Sequence, residues 1–577
     1  MYKNIFAEPV RGEKNTHTIH LWTDSGYEKI KWVNPAYKEC HEADATHIGL
    51  NGQSLRKTTK YYYNPYGPNS ENEKGIHFAD MKAHQKFLIE KYGTNDEPST
   101  THSEVFFDIE TEMLDSLTEE GIRNAPKMVT SIAWYDKKVD QWGILILDTK
   151  NQLKHTKAKN KEIIPVQHEA DLLYKWIEKL EEIQPDILIG YNSDYFDIPY
   201  LYYRTCNVLG KEFADKMSPI GKVTSSLTRH NNNIRGKNFQ EIDLKGISSL
   251  DYMRMHKKYS WADEPSWKLD AIGEKYAGIN KIEYEGNLDT LFETDIQKFI
   301  QYNFMDVKIL VELDKNLEYL SLTKNLAHKG KHLYHEIYAN TVTQDGAISA
   351  YLLGKGIVPP NKDPHINYTD SYAGGYLFCP KAGIYNYVFD EDLTSLYPCI
   401  IMSLNIGKET LRGYIIDADD RNNRLGLNDL KKLDPNKPIL IKNHKNKSAE
   451  LKVSQLIKFI ESNKWTISAN GTLYATDRQS VLSTILAKWF GERVQYKNEM
   501  KKAYKAKNKA LGAKFHMKQY TMKILLNSLY GATALSSFRY GNRILSKSIT
   551  LTGQRIIQES ALCANRSMNK EIKGELC

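Results

Sequence analysis

VFFDIET, residues 105–111, sets Asp108 and Glu110 two positions apart in a run whose other members up to Ile109 are apolar. Its aromatic and β-branched content predicts a strand. On a strand, side chains two apart share a face, so both carboxylates stand on one side while Phe107 and Ile109 stand on the other. Two carboxylates on one face repel unless a cation lies between them, and hard divalent ions such as Mg²⁺ prefer such oxygen ligands. Alone, the pair is better read as a solvated strand edge.

The surrounding sequence predicts a mixed α/β chain of several domains. VTSIAWYD and WGILILD, within 129–148, read as two further strands. The segment 149–168 reads as a charged loop, 169–183 as a helix, and DILIGYN (186–192) as a buried run. RHNNNIRGKNFQ, within 225–245, is a polar hairpin signal between strand-like flanks. Residues 290–320 carry apolar residues at helical spacing, and 1–100 mixes short strand-like runs with polar turns. Farther on, YNYVFDEDL (385–393) fits a strand, and the Asp-, Asn- and Lys-rich stretch 417–449 fits an exposed excursion. Residues 478–530 read as two long helices separated near Leu511 and Gly512, and the residues after Gly531 as one long helix with a polar end. Strands followed by helices, with polar loops between, argue for α/β layers.

Composition narrows the function classes. At roughly 100–200 residues per domain, 577 residues allow about three to five domains. Apolar residues at 41 % and charged residues at 26 % exclude global disorder. Six cysteines without a C-x-x-C pair argue against a zinc site or a disulfide scaffold and for a reducing compartment, the cytoplasm. No apolar run is long enough to span a membrane, so no membrane role is expected. The net charge of +8 is concentrated: Lys488–Lys523 holds eleven cations and two acids, +9 in 36 residues. A basic stretch on helix-forming sequence suits phosphate contact, although taken alone it is better read as a solvated helix face.

Further residues extend the acidic pattern. Asp197, in GYNSDYFDIPYL, follows an apolar run and so lies beside a core. Tyr302 and Asp306, in YNFMD, are four apart on a predicted helix and share a face, where a phenol and a carboxylate can orient water and hold a metal. In VFDEDLTSLYPCII, Asp392 stands at the predicted strand end, the following backbone N–H groups can face a triphosphate, and Tyr397 can pack under a sugar. Arg493 and Lys497 share one helical face; Lys523, Asn527 and Tyr530 share another. Two antiparallel helices showing those faces would offer a phosphate tail three cations and an amide.

Order and spacing connect these patterns. Asp108 to Asp197 is 89 residues and Asp197 to Asp306 is 109. The series D-I-E, N-x-x-x-F-D and Y-x-x-x-D resembles the three exonuclease motifs of family B DNA polymerases, and SANGTLYATDR (468–478) resembles the entrance to the fingers in the T-even-type bacteriophage members, which have a strand-separating hairpin where RHNNNIRGKNFQ falls. That resemblance implies a ribonuclease-H-like 3′→5′ proofreading domain in which Asp108, Glu110, Asp197 and Asp306 hold two Mg²⁺ ions and Tyr302 aligns the attacking water. D-L-x-S-L-Y-P resembles motif A of the same family, with Cys399 where the family usually has Ser. It implies that Asp392 binds both polymerase metals, that the Leu393 carbonyl is a further ligand, that Ser395 and Leu396 offer amides to the dNTP, and that Tyr397 excludes ribose. K-x-x-x-N-S-x-Y-G resembles motif B, and with Arg493 and Lys497 it implies a triphosphate clamp. Tyr372, Gly374 and Gly375, in YAGGY, resemble the segment that contacts template phosphates.

The family's second catalytic carboxylate, in motif C (Y-G-D-T-D-S), is not found after motif B. The resemblance therefore implies the N-terminal part of a split polymerase. A separate chain would supply motif C, the thumb and the sliding-clamp contact, and the completed site would hold two more Mg²⁺ ions beside the DNA primer–template and dNTPs. The implied division is an N-terminal domain (1–100, resumed at 322–365), an exonuclease domain (101–321), a first palm part (366–479), two-helix fingers (480–534) and a partial palm (535–577). A stand-alone exonuclease and a non-catalytic nucleic-acid-binding protein are the alternatives.

Overall fold

The computed structural model describes the chain except residues 65–71, 115–117, 230–237, 261–262, 340, 363–373, 379–381, 385–387, 389, 417–424, 444–446 and 573–577; for 226–229, 238–240 and 569–572 it describes the backbone alone. The described residues form two compact units. One comprises Met1–Asn34, Ala83–Leu88 and Asn95–Ala339; the other comprises Pro35–Lys82, Ile89–Thr94 and Asn340–Cys577. This division is coarser than the five segments expected, and its first boundary falls inside 1–100.

The first unit opens with an antiparallel three-stranded sheet, β1 (Tyr2–Pro9), β2 (Thr16–Thr23) and β3 (Gly26–Val33). Its main sheet uses β4 (Glu104–Thr111), β5 (Val129–Asp136), β6 (Gln141–Leu147), β7 (Thr156–Lys157), β8 (Lys161–Val166), β9 (Ile187–Gly190) and β12 (Ser248–Asp251). Their spatial order is β7-β8-β6-β5-β4-β9-β12. β4 and β5 are antiparallel, whereas β9 runs parallel to both β4 and β12. The hairpin expected within 225–245 is present as β10 (Val223–Arg229) paired with β11 (Asn238–Leu244); its tip lies outside the described residues.

Apolar spacing explains how this sheet is covered. In α1 (Glu169–Ile183), Leu172, Leu173, Trp176, Ile177 and Leu180 are buried together, while Glu169 and Asp171 occupy the first turn, where the helix dipole favours acids. Trp176 packs against Trp134 and Phe107. Gly143 makes room for that layer: a Cβ there would lie 2.0 Å from Trp134. The segment expected as a charged loop, 149–168, instead contains β7 and β8, and β8 pairs parallel to β6. Ile163 and Ile164 sit among charges that mask the strand pattern, and the neighbouring strand supplies the backbone partners that local sequence does not reveal.

The second unit holds two five-stranded sheets. The first takes Ile357–Val358, His47–Gly49, Ser54–Thr58, Ala36–Glu39 and Ile76–His77, in that spatial order. Fully buried Arg539 secures residues from three segments: it pairs with Asp80 at 2.6 Å and Asp345 at 2.8 Å and donates to the Pro360 carbonyl. The second sheet is antiparallel: β13 (Leu411–Ile415), β14 (Pro438–Asn443), β15 (Ser448–Lys452), β16 (Thr466–Ile467) and β17 (Thr472–Tyr474). Hence 417–449 is not simply an exposed excursion. Leu430 and Ile439 are buried with Ile415, Leu456 and Leu473, and these few apolar residues anchor the polar segment to a core.

The helices α4 (Leu396–Leu404), α5 (Val481–Lys505), α6 (Lys509–Thr533) and α7 (Arg543–Ile572) complete the unit. α5 and α6 form a helical hairpin whose turn is 506–508, a few residues before the expected break. Lys507 takes a left-handed conformation there, and the Asn508 side chain accepts from the Leu511 amide to cap α6. Gly512 is a packing residue inside α6, since a Cβ would lie 2.5 Å from the Tyr504 ring. The strand expected at 385–393 does not form among its described residues, 388 and 390–393, which pair with no described strand. Without a paired neighbour, an extended segment lacks the ladder that would make it a strand. No described helix is long and apolar enough to cross a membrane.

Candidate active site

The first unit brings the acidic residues together from three elements. Asp108 and Glu110 alternate with buried Phe107 and Ile109 along β4, as the period of two requires. Opposite them on β5 stand Ala133 and Ser131, small residues that leave the carboxylates room. Asp306 comes from α3 (Ile296–Leu317), one turn beyond Tyr302. Carboxylate oxygens of Asp108, Glu110 and Asp306 lie within 4.8 Å of one another. Asp197 opens α2 (Asp197–Leu209), is buried, and accepts a hydrogen bond from the Ile109 amide at 3.3 Å. It therefore sits beside the triad, tied to the backbone between its two strand members.

Burial and mutual repulsion dominate the electrostatics. Burial, followed by the charge of Asp306, pushes Glu110 up to about 8. Burial likewise raises Asp197 to about 7. Asp108 is driven well above the usual carboxylate range by burial and then by Asp306, Glu110 and Asp197. Asp306 is raised by burial despite the pull of Lys281. A cluster that resists ionisation this strongly is one that a bound cation would relieve. Asp306 Oδ1 is buried with no hydrogen-bond partner among the described residues, so it can serve as a ligand oxygen. An all-carboxylate donor set with a spare oxygen fits a hard divalent ion.

Two contributors escaped sequence reasoning. Lys281, between the motifs, contacts Asp306 Oδ2 and donates to the Tyr302 hydroxyl at 3.1 Å. Burial works against its charge, but Asp306, Tyr302 and Asp108 outweigh that and raise its pKa. Asn303 is fully buried; its amide nitrogen donates to Asp108 Oδ2 at 2.7 Å, and its oxygen accepts from Ser131 at 2.8 Å. Asn303 lies inside YNFMD and was overlooked because its face of α3 is one position from Tyr302. No local pattern marks Lys281, which only chain folding brings to the cluster. The Tyr302 hydroxyl is itself pushed upward, chiefly by burial, and keeps its proton.

The second unit carries the other set. Asp392 is exposed in the irregular segment before α4, followed by half-buried Leu393. Ser395 adopts a left-handed conformation at the start of α4, so the chain turns sharply before Leu396 and Tyr397 enter the helix. Tyr397 stacks on Tyr530 with centroids 4.1 Å apart and planes at 24°. The Tyr530 hydroxyl lies 2.6 Å from that of Thr550 on α7. Arg493 and Lys497 lie on α5; Lys523 and Asn527 lie exposed on α6. Arg493 is half-buried, and its Nε has no hydrogen-bond partner among the described residues. Tyr372 lies outside the described residues. The Gly374 carbonyl accepts from Gln554 at 2.6 Å, and Gly375 lies against the Tyr397 hydroxyl.

Sequence comparison gives these sites a context. The family described as DNA polymerase family B matches residues 343–575, and its exonuclease domain matches residues 71–272. The DNA-directed DNA polymerase of Enterobacteria phage T4 is 27 % identical over 461 residues, covering 70 % of this chain and 47 % of that protein. That of Escherichia phage RB69 is 28 % identical over 540 residues, covering 80 % and 55 %. A DNA polymerase of Pyrococcus glycovorans is 23 % identical over 500 residues, covering 83 % and 53 %. The chain spans about half the length of these curated relatives. Two regions of one family thus match separate stretches, together about three quarters of the sequence, and the chain belongs to DNA polymerase family B and carries its exonuclease domain.

Proposed function

We propose that this chain is a 3′→5′ proofreading exonuclease, with a ribonuclease-H-like core, joined to the dNTP-binding half of a DNA polymerase site. The observation that carries the nuclease is the buried carboxylate cluster with its Asp306 ligand oxygen. Asp108, Glu110, Asp197 and Asp306 would hold two Mg²⁺ ions, which when bound supply a more acidic water and charge neutralisation at the phosphodiester. The protein does the positioning. Asn303 fixes Asp108, and the Ile109 amide fixes Asp197. Because the Tyr302 hydroxyl accepts from Lys281 and keeps its own proton, it has a hydrogen to offer an attacking water or a phosphate oxygen.

In the polymerase half, Asp392 and the Leu393 carbonyl would hold metal and the amides of Ser395 and Leu396 would meet the triphosphate. Arg493, Lys497, Lys523 and Asn527 would clamp its tail, and Tyr397 with Tyr530 would line the sugar and base pocket. The unpartnered Arg493 Nε supports the clamp. Tyr372, Gly374 and Gly375 would contact the template strand of the primer–template. A two-metal site needs a second carboxylate, which we assign to residues outside these 577. Leu377, Phe378, Ile384 and Val388, which precede Asp392, are 93, 69, 98 and 78 % exposed and call for a cover. We favour a separate chain that brings motif C, the thumb, two more Mg²⁺ ions and the sliding-clamp contact, acting in the cytoplasm. The greater length of the relatives favours a second reading, in which the same residues belong to a longer form of this chain.

The test is a labelled primer–template with Mg²⁺ and dNTPs. Shortening without extension, abolished by Asp108→Ala, is expected from the 577 residues alone. Extension should appear when a polypeptide carrying motif C and the thumb is added. Extension without it would defeat the incomplete-site reading, and no shortening would defeat the nuclease.

A further inference from the structure

We propose that Gly553, on α7, is a positioning residue for sugar selection, a role that rests on the reading of Tyr397 as the floor of a nucleotide pocket. Gly553 lies within a long helix, where glycine is a poor helix former and where its φ is not in the left-handed range that favours it. The backbone therefore does not ask for glycine here. The neighbouring side chains do. A Cβ at 553 would lie 2.9 Å from Tyr397 Cε1, 3.5 Å from Tyr397 Cδ1 and 3.5 Å from Ile400 Cδ1. The first is closer than such contacts occur, so the tyrosine ring would have to move.

That ring is already confined. Tyr530 stacks on it at 4.1 Å, and Tyr530 is itself held through its hydroxyl by Thr550, one turn from Gly553. At the phenol end, a Cβ on Gly375 would lie 3.5 Å from the Tyr397 hydroxyl. The residue after Gly553, Gln554, donates to the Gly374 carbonyl at 2.6 Å and so ties the Gly374–Gly375 segment to the same helix. Gly375 borders the phenol end at ordinary contact distance, and Gly553 alone leaves the space that the ring fills, with α7 as its back wall. A methyl group on that wall drives the ring outward, into the space we assign to the sugar. The deoxyribose that fits is then rejected along with the ribose, and the preference between them shrinks.

The experiment measures equilibrium binding of dGTP and GTP to the chain on a primer–template in Mg²⁺, all proteins carrying Asp108→Ala so that the primer survives. Gly553→Ala is expected to weaken dGTP binding about tenfold and GTP binding much less, so that the ratio of the two affinities falls at least about fivefold. In a Tyr397→Ala background, where the clash is absent, Gly553→Ala should leave the ratio unchanged, and this double variant remains informative should the single one fold poorly. A Gly553→Ala protein with the parental ratio overturns the inference. A parental protein that binds dGTP and GTP equally, or neither, overturns the nucleotide-pocket reading beneath it, a result distinct from the first. Nuclease activity of Gly553→Ala without the Asp108 change should match the parent, because the nuclease lies in the other unit, and thermal melting reports whether the unit that carries Gly553 stays folded.

Discussion

Asn303 offers a direct test of how the carboxylate cluster is held. Its amide is the donor that orients Asp108, and its oxygen satisfies the Ser131 hydroxyl beneath β5. Asn303→Ala removes both bonds from a site with no exposure. A hydrogen bond to a charged group contributes about 1.5–3 kcal/mol, and a buried hydroxyl left without a partner costs about 1–3 kcal/mol. The sum predicts a loss of about 2.5–6 kcal/mol in stability, less if a water enters the space. If about 2 kcal/mol of the Asp108 bond is realised at the reacting geometry, the nuclease rate falls about 30-fold. Asn303→Asp keeps the shape but turns the donor toward Asp108 into a second acceptor, so its loss at neutral pH should exceed that of alanine. Single-turnover cleavage of a labelled single strand in saturating Mg²⁺, alongside thermal melting, reads both effects. Nuclease rates within about threefold of the parent for a variant that melts several degrees lower would confine Asn303 to the core and refute the positioning argument.

Other consequences concern the same unit. Glu110 and Asp197 have pKa values raised to about 8 and about 7, and an acid raised on folding supports the fold only while protonated. That support is complete near pH 4 and is lost as pH rises through 7 to 8, so the metal-free protein should melt lower at pH 8 than at pH 5.5, with Mg²⁺ closing the gap; a flat metal-free profile would count against the clustered charges. Lys281→Met removes the internal counter-charge of Asp306 and should destabilise the metal-free protein at pH 8 by about 1–3 kcal/mol, with a smaller effect at pH 5.5, measurable by chemical denaturation. Equal effects at both pH values would show that its packing, not its charge, matters. Gly143→Ala forces a methyl into the fully buried Trp134 ring and should cost about 3 kcal/mol; an unchanged melting temperature would contradict the close packing of that layer.

Local chemistry was written in the sequence, and the pairing of distant elements was not. The alternation in VFFDIET put Asp108 and Glu110 on one side of a strand, and the four-residue step put Tyr302 and Asp306 on one face of a helix, because side-chain direction follows from backbone period alone. The helices at 169–183 and after Gly531 were legible for the same reason. Sequence did not reveal β8, whose place beside β6 depends on a neighbour's unpaired backbone, nor the burial of Leu430 and Ile439 inside a polar stretch. It misplaced the α5–α6 turn because Gly512, which looks like a helix breaker, is there to admit Tyr504. Lys281 and Asn303 join the cluster, and Gly553 backs Tyr397, only because the chain folds them there. Periodicity fixes which way a side chain points from its own backbone; what it meets is set by packing between segments far apart in the chain, and that information exists only in the tertiary structure.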